Sequence, residues 1–128
     1  MAGGGRGDAG SPEEFFEGCD RGLALYEAVA EAVAALGSDA TGIRVTRSQI
    51  AFRRRRGFAW VWRPDRYVRS SAPAVLSIAL PCRVESDRFK SVVHPAPDVW
   101  MHHIELYDPA EVDAEVRAWL AAAHRNAA

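Results

Sequence analysis

Lysine is almost missing from this chain of 128 residues: Lys90 stands alone against fifteen arginines. Cysteine is scarce as well. Cys19 and Cys82 are two isolated thiols, too few for a disulfide framework, so a reducing cytoplasm is the expected setting. No apolar run reaches the roughly 20 residues that a bilayer-spanning helix needs, and the N-terminus lacks the apolar stretch of a secretory signal. No membrane partner is therefore expected. No glycine-rich phosphate loop follows a strand and opens a helix, which argues against a nucleotide fold. Convergent Cys and His pairs at short spacing are also missing, so neither a metal site nor a cofactor is expected.

What is present is a strong sorting of charge. Residues 1–40 carry a net charge of −6, residues 41–90 of +9 and residues 91–128 of −4, within a total of only −1. A basic middle between acidic ends either serves an anionic partner or pairs internally with its flanks. Apolar content of 48% and charged content of 26% are those of a globular protein, and the length suits one core. The expected division is a flexible tail over 1–10, rich in Gly and Ala, and a single globular domain over 11–126. Arg6-Gly7-Asp8 spells an adhesion tripeptide, but a tail without an export signal gives it no use.

Ser11-Pro12-Glu13-Glu14 combines an N-cap, a first-turn proline and a capping-box glutamate. Phe16, Cys19, Leu23, Tyr26, Ala30 and Val33 then recur at helical spacing up to Gly37, while Gly18 and Gly22 weaken the first half. From Gly42 the period becomes two. Ile43 and Val45 are out of phase with Ile50 and Phe52, so a bulge or bend is expected near Arg47-Ser48. Arg54-Arg55-Arg56-Gly57 reads as a hairpin tip with a positive φ at Gly57, leading into a strand over Phe58–Arg63. Further strands are expected over Val75–Leu80 and Trp100–Tyr107, with a short element around 88–93. Asp108-Pro109-Ala110-Glu111 repeats the capping box before the stripe Val112, Val116, Trp119, Leu120 and Ala123.

The expected fold is α+β, a two-layer sandwich. A four-stranded antiparallel sheet carries the N- and C-terminal helices on one face, or five strands if 88–93 adds an edge. Alternation assigns Ile50, Phe52, Phe58, Trp60, Trp62, Leu76, Ile78, Leu80, Trp100, Ile104 and Leu106 to the covered face. Ala51, Arg53, Ala59, Val61, Val75, Ser77, Ala79, Met101, His103, Glu105 and Tyr107 fall on the other, a shallow trough that no helix is left to cover. On this assignment the aromatics are hidden and cannot stack on bases, so nucleic acid would be held by its backbone alone.

Ser48-Gln49-Ile50-Ala51-Phe52, Arg56-Gly57-Phe58-Ala59, Leu80-Pro81, Arg88-Phe89 and Trp100-Met101-His102-His103-Ile104-Glu105-Leu106 together resemble a bacterial family of small domains of unknown function. Its members occur alone or at the C-terminus of other small uncharacterised proteins. The resemblance runs from about Ala24 to His124 and brings no activity with it. Cys82 departs from it, since relatives tend to have a basic residue there.

The leading functional reading is a small cytoplasmic, non-enzymatic binding module. It would use the open sheet face and the arginine-rich hairpin for an anionic ligand, a protein or a nucleic-acid backbone. The residues assigned to binding are Ser48, Arg53, Arg56, Ser77, His103, Glu105 and Tyr107. The alternative is a small enzyme with acid/base chemistry at His103 and Glu105, two apart on one strand, where a carboxylate can orient and raise an imidazole. A third reading is a homodimer joined through the small residues of the same face. His102, by parity, belongs to the core.

Overall fold

The computed structural model describes residues 10–37, 41–66 and 70–128. The expected tail lies outside them apart from Gly10, and so does Arg6-Gly7-Asp8. Ser11 forms the expected capping box: its Oγ accepts from the Glu14 N–H at 3.1 Å, and the Glu14 carboxylate accepts from the Ser11 N–H at 2.8 Å. The helix it opens, α1 (Pro12–Phe15), is only four residues long. Gly18 at φ +80° breaks it, a left-handed value that only glycine adopts without a Cβ penalty. Helix α2 (Asp20–Ala34) starts afresh, so the one helix expected from Ser11 to Gly37 is two. Gly37, at φ +79°, ends the second.

The sheet is antiparallel and has six strands: β1 (Gly42–Val45), β2 (Ile50–Arg53), β3 (Gly57–Trp62), β4 (Ala74–Leu80), β5 (Ser91–Ala96) and β6 (Val99–Leu106). Their order is β1-β2-β3-β4-β6-β5. Four or five strands were expected, and two features account for the difference. The bend at Arg47-Ser48 is a full reversal, in which the Thr46 N–H donates to the Gln49 carbonyl at 2.9 Å. Ile43 then lies opposite Phe52 and Val45 opposite Ile50, which brings the two out-of-phase runs onto one face. The short element near 88–93 is the edge strand β5, displaced to Ser91–Ala96 and paired with β6.

Asp108 caps no more than a single 3₁₀ turn, Pro109–Glu111, and Glu111 accepts from the Tyr107 N–H at 2.8 Å instead of closing a box. Helix α3 (Ala114–Asn126) is capped by Asp113, whose Oδ1 accepts from the Val116 N–H at 3.1 Å. Helices α2 and α3 contact each other and β4. Leu25, Val29, Val116 and Leu120 share one core with Ile50, Phe52, Leu76, Ile78, Ile104 and Leu106.

The face assignment of β3 is corrected. Ala59 pairs with Ile78 and Val61 with Leu76, so Ala59 and Val61 point into the core and are fully buried. Trp60 pairs with Ser77 and Trp62 with Val75, on the opposite face. The cause is a bulge at Arg53 and Gly57, where the register between β2 and β3 slips. Phe58 sits at the slip and turns inward, its ring 5.5 Å from that of His124 on α3. Extending the phase of Phe58 along the strand therefore misplaces every residue after it. Gly57 does not take a positive φ. Its lack of a side chain makes room instead, since a Cβ there would lie 2.8 Å from the Trp60 ring.

Candidate functional site

One row of cross-strand partners spans the open face from edge to edge: Arg44, Ala51, Trp60, Ser77, His103 and Ser91. The neighbouring row contains Trp62, Val75 and Glu105. Two hollows on this face share His103. One, of about 290 Å³, is bounded by Trp62, Pro64, Val75, Lys90, His103 and Glu105. The other, of about 300 Å³, is bounded by Gln49, Trp60, Ser77, Met101 and His103.

A hydrogen-bond relay fixes the imidazole between them. The Trp62 Nε1–H donates to Ser77 Oγ at 3.0 Å, and Ser77 Oγ lies 2.7 Å from His103 Nδ1. Ser77 accepts from the indole and pairs with Nδ1, which ties one ring nitrogen of His103 to the sheet and leaves Nε2 as its second hydrogen-bonding atom. The Trp62 ring meets His103 edge-on at 6.4 Å. Burial pushes the His103 pKa down, and the neighbouring His102 pushes it further, so the ring is neutral near pH 7.

Glu105 does not orient His103 as the acid/base reading required. Its Oε2 accepts from Ser70 Oγ at 2.7 Å and from Lys90 Nζ at 2.8 Å, and its Oε1 accepts from the Tyr107 hydroxyl at 3.2 Å. The Lys90 and Ser70 bonds hold this carboxyl below its ordinary range. His103 and Glu105 both face the first hollow, but each is tied to other partners.

The remaining residues assigned to binding divide. Arg53 is exposed on the open side, with its guanidinium at the Gly57 position beside Trp60. Arg56 is drawn to the helix layer, donating to the Asn126 carbonyl at 3.0 Å. Ser48 sits in the β1–β2 turn, 3.5 Å from the Thr46 hydroxyl, and borders neither hollow. Tyr107 supports Glu105 from the end of the row.

Much of the basic middle pairs internally. Arg54 donates to the His124 carbonyl at 3.1 Å and, with Arg56, closes the C-terminal end of α3, whose last carbonyls lack partners within the helix. Arg63 donates to the Phe15 and Glu17 carbonyls, and Arg88 to Asp113, Glu115 and the Glu111 carbonyl. Among the described residues, Arg44 and Arg53 have no such partner. Both lie on the open face, on either side of Ala51. No group of three His, Cys, Asp or Glu side chains among the described residues could hold a metal ion.

Trp60, Trp62, Lys90 and Arg44 are the site residues that periodicity missed. The signal for the tryptophans was Gly57, a glycine at a strand start beside a run of arginines, which marks a bulge as well as it marks a turn.

A family model for a domain of unknown function, DUF5655, matches residues 13–127. The chain belongs to that family. No curated protein and no solved structure matches it. Membership accounts for the resemblance carried by the strand segments and identifies the whole α+β unit as the family domain, with the open face inside it. It assigns that face no chemistry. None of the helices among the described residues is long and apolar enough to cross a membrane.

Proposed function

We propose that this domain is a non-enzymatic binding module whose open sheet face takes an anionic partner with a flat, aromatic body. The observation that carries the reading is the pair of hollows, each walled by a tryptophan and both sharing a neutral His103, on the same face as two arginines without partners among the described residues. A planar ring gains area against indole, and a polar atom on its edge can hydrogen-bond to the His103 Nε2. Arg44 and Arg53 supply the charge that an anion needs. Of the arginine hairpin, Arg53 serves this face, while Arg54 and Arg56 serve helix α3.

Two features favour binding over catalysis. Ser77 is 4% exposed, so its hydroxyl, although 2.7 Å from the His103 imidazole, is shielded from a substrate on this face. Glu105 is ionised and engaged, which leaves no proton acceptor paired with the imidazole. Titration of tryptophan fluorescence with indole-3-carboxylate and with its aliphatic counterpart cyclohexanecarboxylate tests the reading. Saturable quenching by the aromatic acid, lost in Trp62→Phe or His103→Leu, is the expected result. No saturation by either acid, or quenching unchanged by both substitutions, contradicts it.

A further inference from the structure

Trp60 and Trp62 stand on the open face, where bases can reach them, and we infer that this face is a binding site for single-stranded nucleic acid. The inference rests on the reading above and names its ligand class. Trp60 and Trp62 are two residues apart on one strand, hence about 7 Å apart along it. Successive bases of an extended single strand are separated by a similar step, and bases stack on aromatic side chains whatever their identity. The two hollows, one per tryptophan, provide places for two consecutive bases. His103 borders both and can hydrogen-bond through Nε2 to a base edge, since its Nδ1 is engaged by Ser77.

The charge lies where a backbone would run. Arg44 is in the same cross-strand row as Trp60, two strand spacings away, about 10 Å. Arg53 is on the nearer strand, β2, displaced along it towards Gly57. A strand lying along β3 with its bases on Trp62 and Trp60 therefore brings its phosphates within reach of two long guanidinium side chains that nothing else occupies. Duplex bases are stacked inside the helix and closed to such rings, so single strands are preferred. Two phosphate contacts give a modest electrostatic contribution: the slope of log affinity against log salt is expected near −1.4, about −0.7 for each contact.

The test is fluorescence anisotropy with labelled oligothymidylate of about eight nucleotides, the same sequence as a duplex, and thymidine monophosphate as a competitor, at several salt concentrations. The single strand is expected to bind at least ~10-fold more tightly than the duplex. Trp60→Ala should weaken it by about 5- to 150-fold, the range for losing one base stack. Arg44→Ala and Arg53→Ala, at exposed positions that cannot unfold the chain, should each lower the salt slope by about 0.7. Arg83→Ala, whose guanidinium pairs with Glu85 off this face, serves as the control and should change nothing. Equal affinity for duplex and single strand, or an unchanged salt slope in Arg44→Ala, overturns the inference. If the monophosphate or indole-3-carboxylate saturates the face and the oligonucleotide binds no more tightly, the strand is wrong and the binding face stands. If none of these ligands binds, both fall.

Discussion

His102 and His103 are adjacent in the chain and face opposite ways. His102 is fully buried, with its Nε2 accepting from the Val84 N–H at 3.0 Å and its Nδ1 2.9 Å from the Trp100 carbonyl. Both nitrogens are used, so His102→Ala leaves a cavity and two orphaned backbone groups. Urea denaturation should register a loss of about 1–3 kcal/mol. His103→Ala removes the Ser77 hydrogen bond and the edge contact with Trp62 on a half-exposed face and should cost less, about 0.5–1.5 kcal/mol. The reverse order would mean that the sheet faces are exchanged. Strand parity alone separated these two residues, because β6 is regular throughout its pairing with β4. Parity failed for Trp60 and Trp62 because a bulge is a tertiary feature whose only local trace is one glycine. Protonation adds a pH dependence. His102, His103 and His124 all have pKa values lowered first by burial. A base whose folded pKa lies below its unfolded value near 6.5 takes up its proton more readily when unfolded. Stability should therefore be full above about pH 7 and fall as the pH drops through 6 towards 5. Glu105 and Asp113, held low mainly by Lys90 and Arg88, add a further loss below about pH 4.5. A melting temperature that rose between pH 7 and pH 5 would contradict this assignment.

Elements were legible where a local signal and the packing agreed. The Ser11 capping box, the Gly37 stop and the strand over Val75–Leu80 appear in the structure as their residues imply. They were misread where one segment served two elements. Ile43–Phe52 is a hairpin, whose reversal resembles a bend to a one-dimensional pattern, and the stretch before α3 uses Asp108 and Asp113 as successive caps. Gly22 gives a test at this scale. Alanine is normally favoured over glycine in a helix by about 1 kcal/mol. A Cβ at Gly22, however, would lie 2.6 Å from the ring of Phe16, which is 1% exposed and has no room to retreat. Overpacking should win, and Gly22→Ala should lower stability by about 1–2 kcal/mol. A more stable variant in a thermal melt would show that the α1–α2 junction yields easily. Arg88 joins the β4–β5 connection to the start of α3 through two carboxylates and a carbonyl, with its guanidinium also 5.9 Å from the Trp119 ring. Arg88→Ala should cost about 1 kcal/mol after allowance for solvent screening. It should leave the open face unaffected.

At the scale of the molecule, part of the charge asymmetry that dominates the sequence is turned inward. Acidic ends and basic middle meet in the Arg88–Asp113 and Arg88–Glu115 pairs, and arginines close the end of α3. A count along the chain could not separate this from a binding surface, because the two differ only in where side chains point after folding. The same folding leaves Arg44 and Arg53 beside Trp60. It also changes the expectation for self-association, which rested on a smooth face of small residues. With Ala59 and Val61 in the core and two indoles in their place, close approach of two sheets is blocked, and light scattering should return a monomer across a wide concentration range. The central claim is that Trp60 and Trp62 form a working surface. A ¹H–¹⁵N spectrum of the four indole N–H groups during titration with oligothymidylate tests it most directly. Trp60 and Trp62 should shift together, and Trp119, packed beside Phe89 at 4.5 Å between ring centres, should stay still. Shifts confined to Trp119 or to the Arg54–Arg56 amides, with Trp60 and Trp62 unmoved, would contradict it.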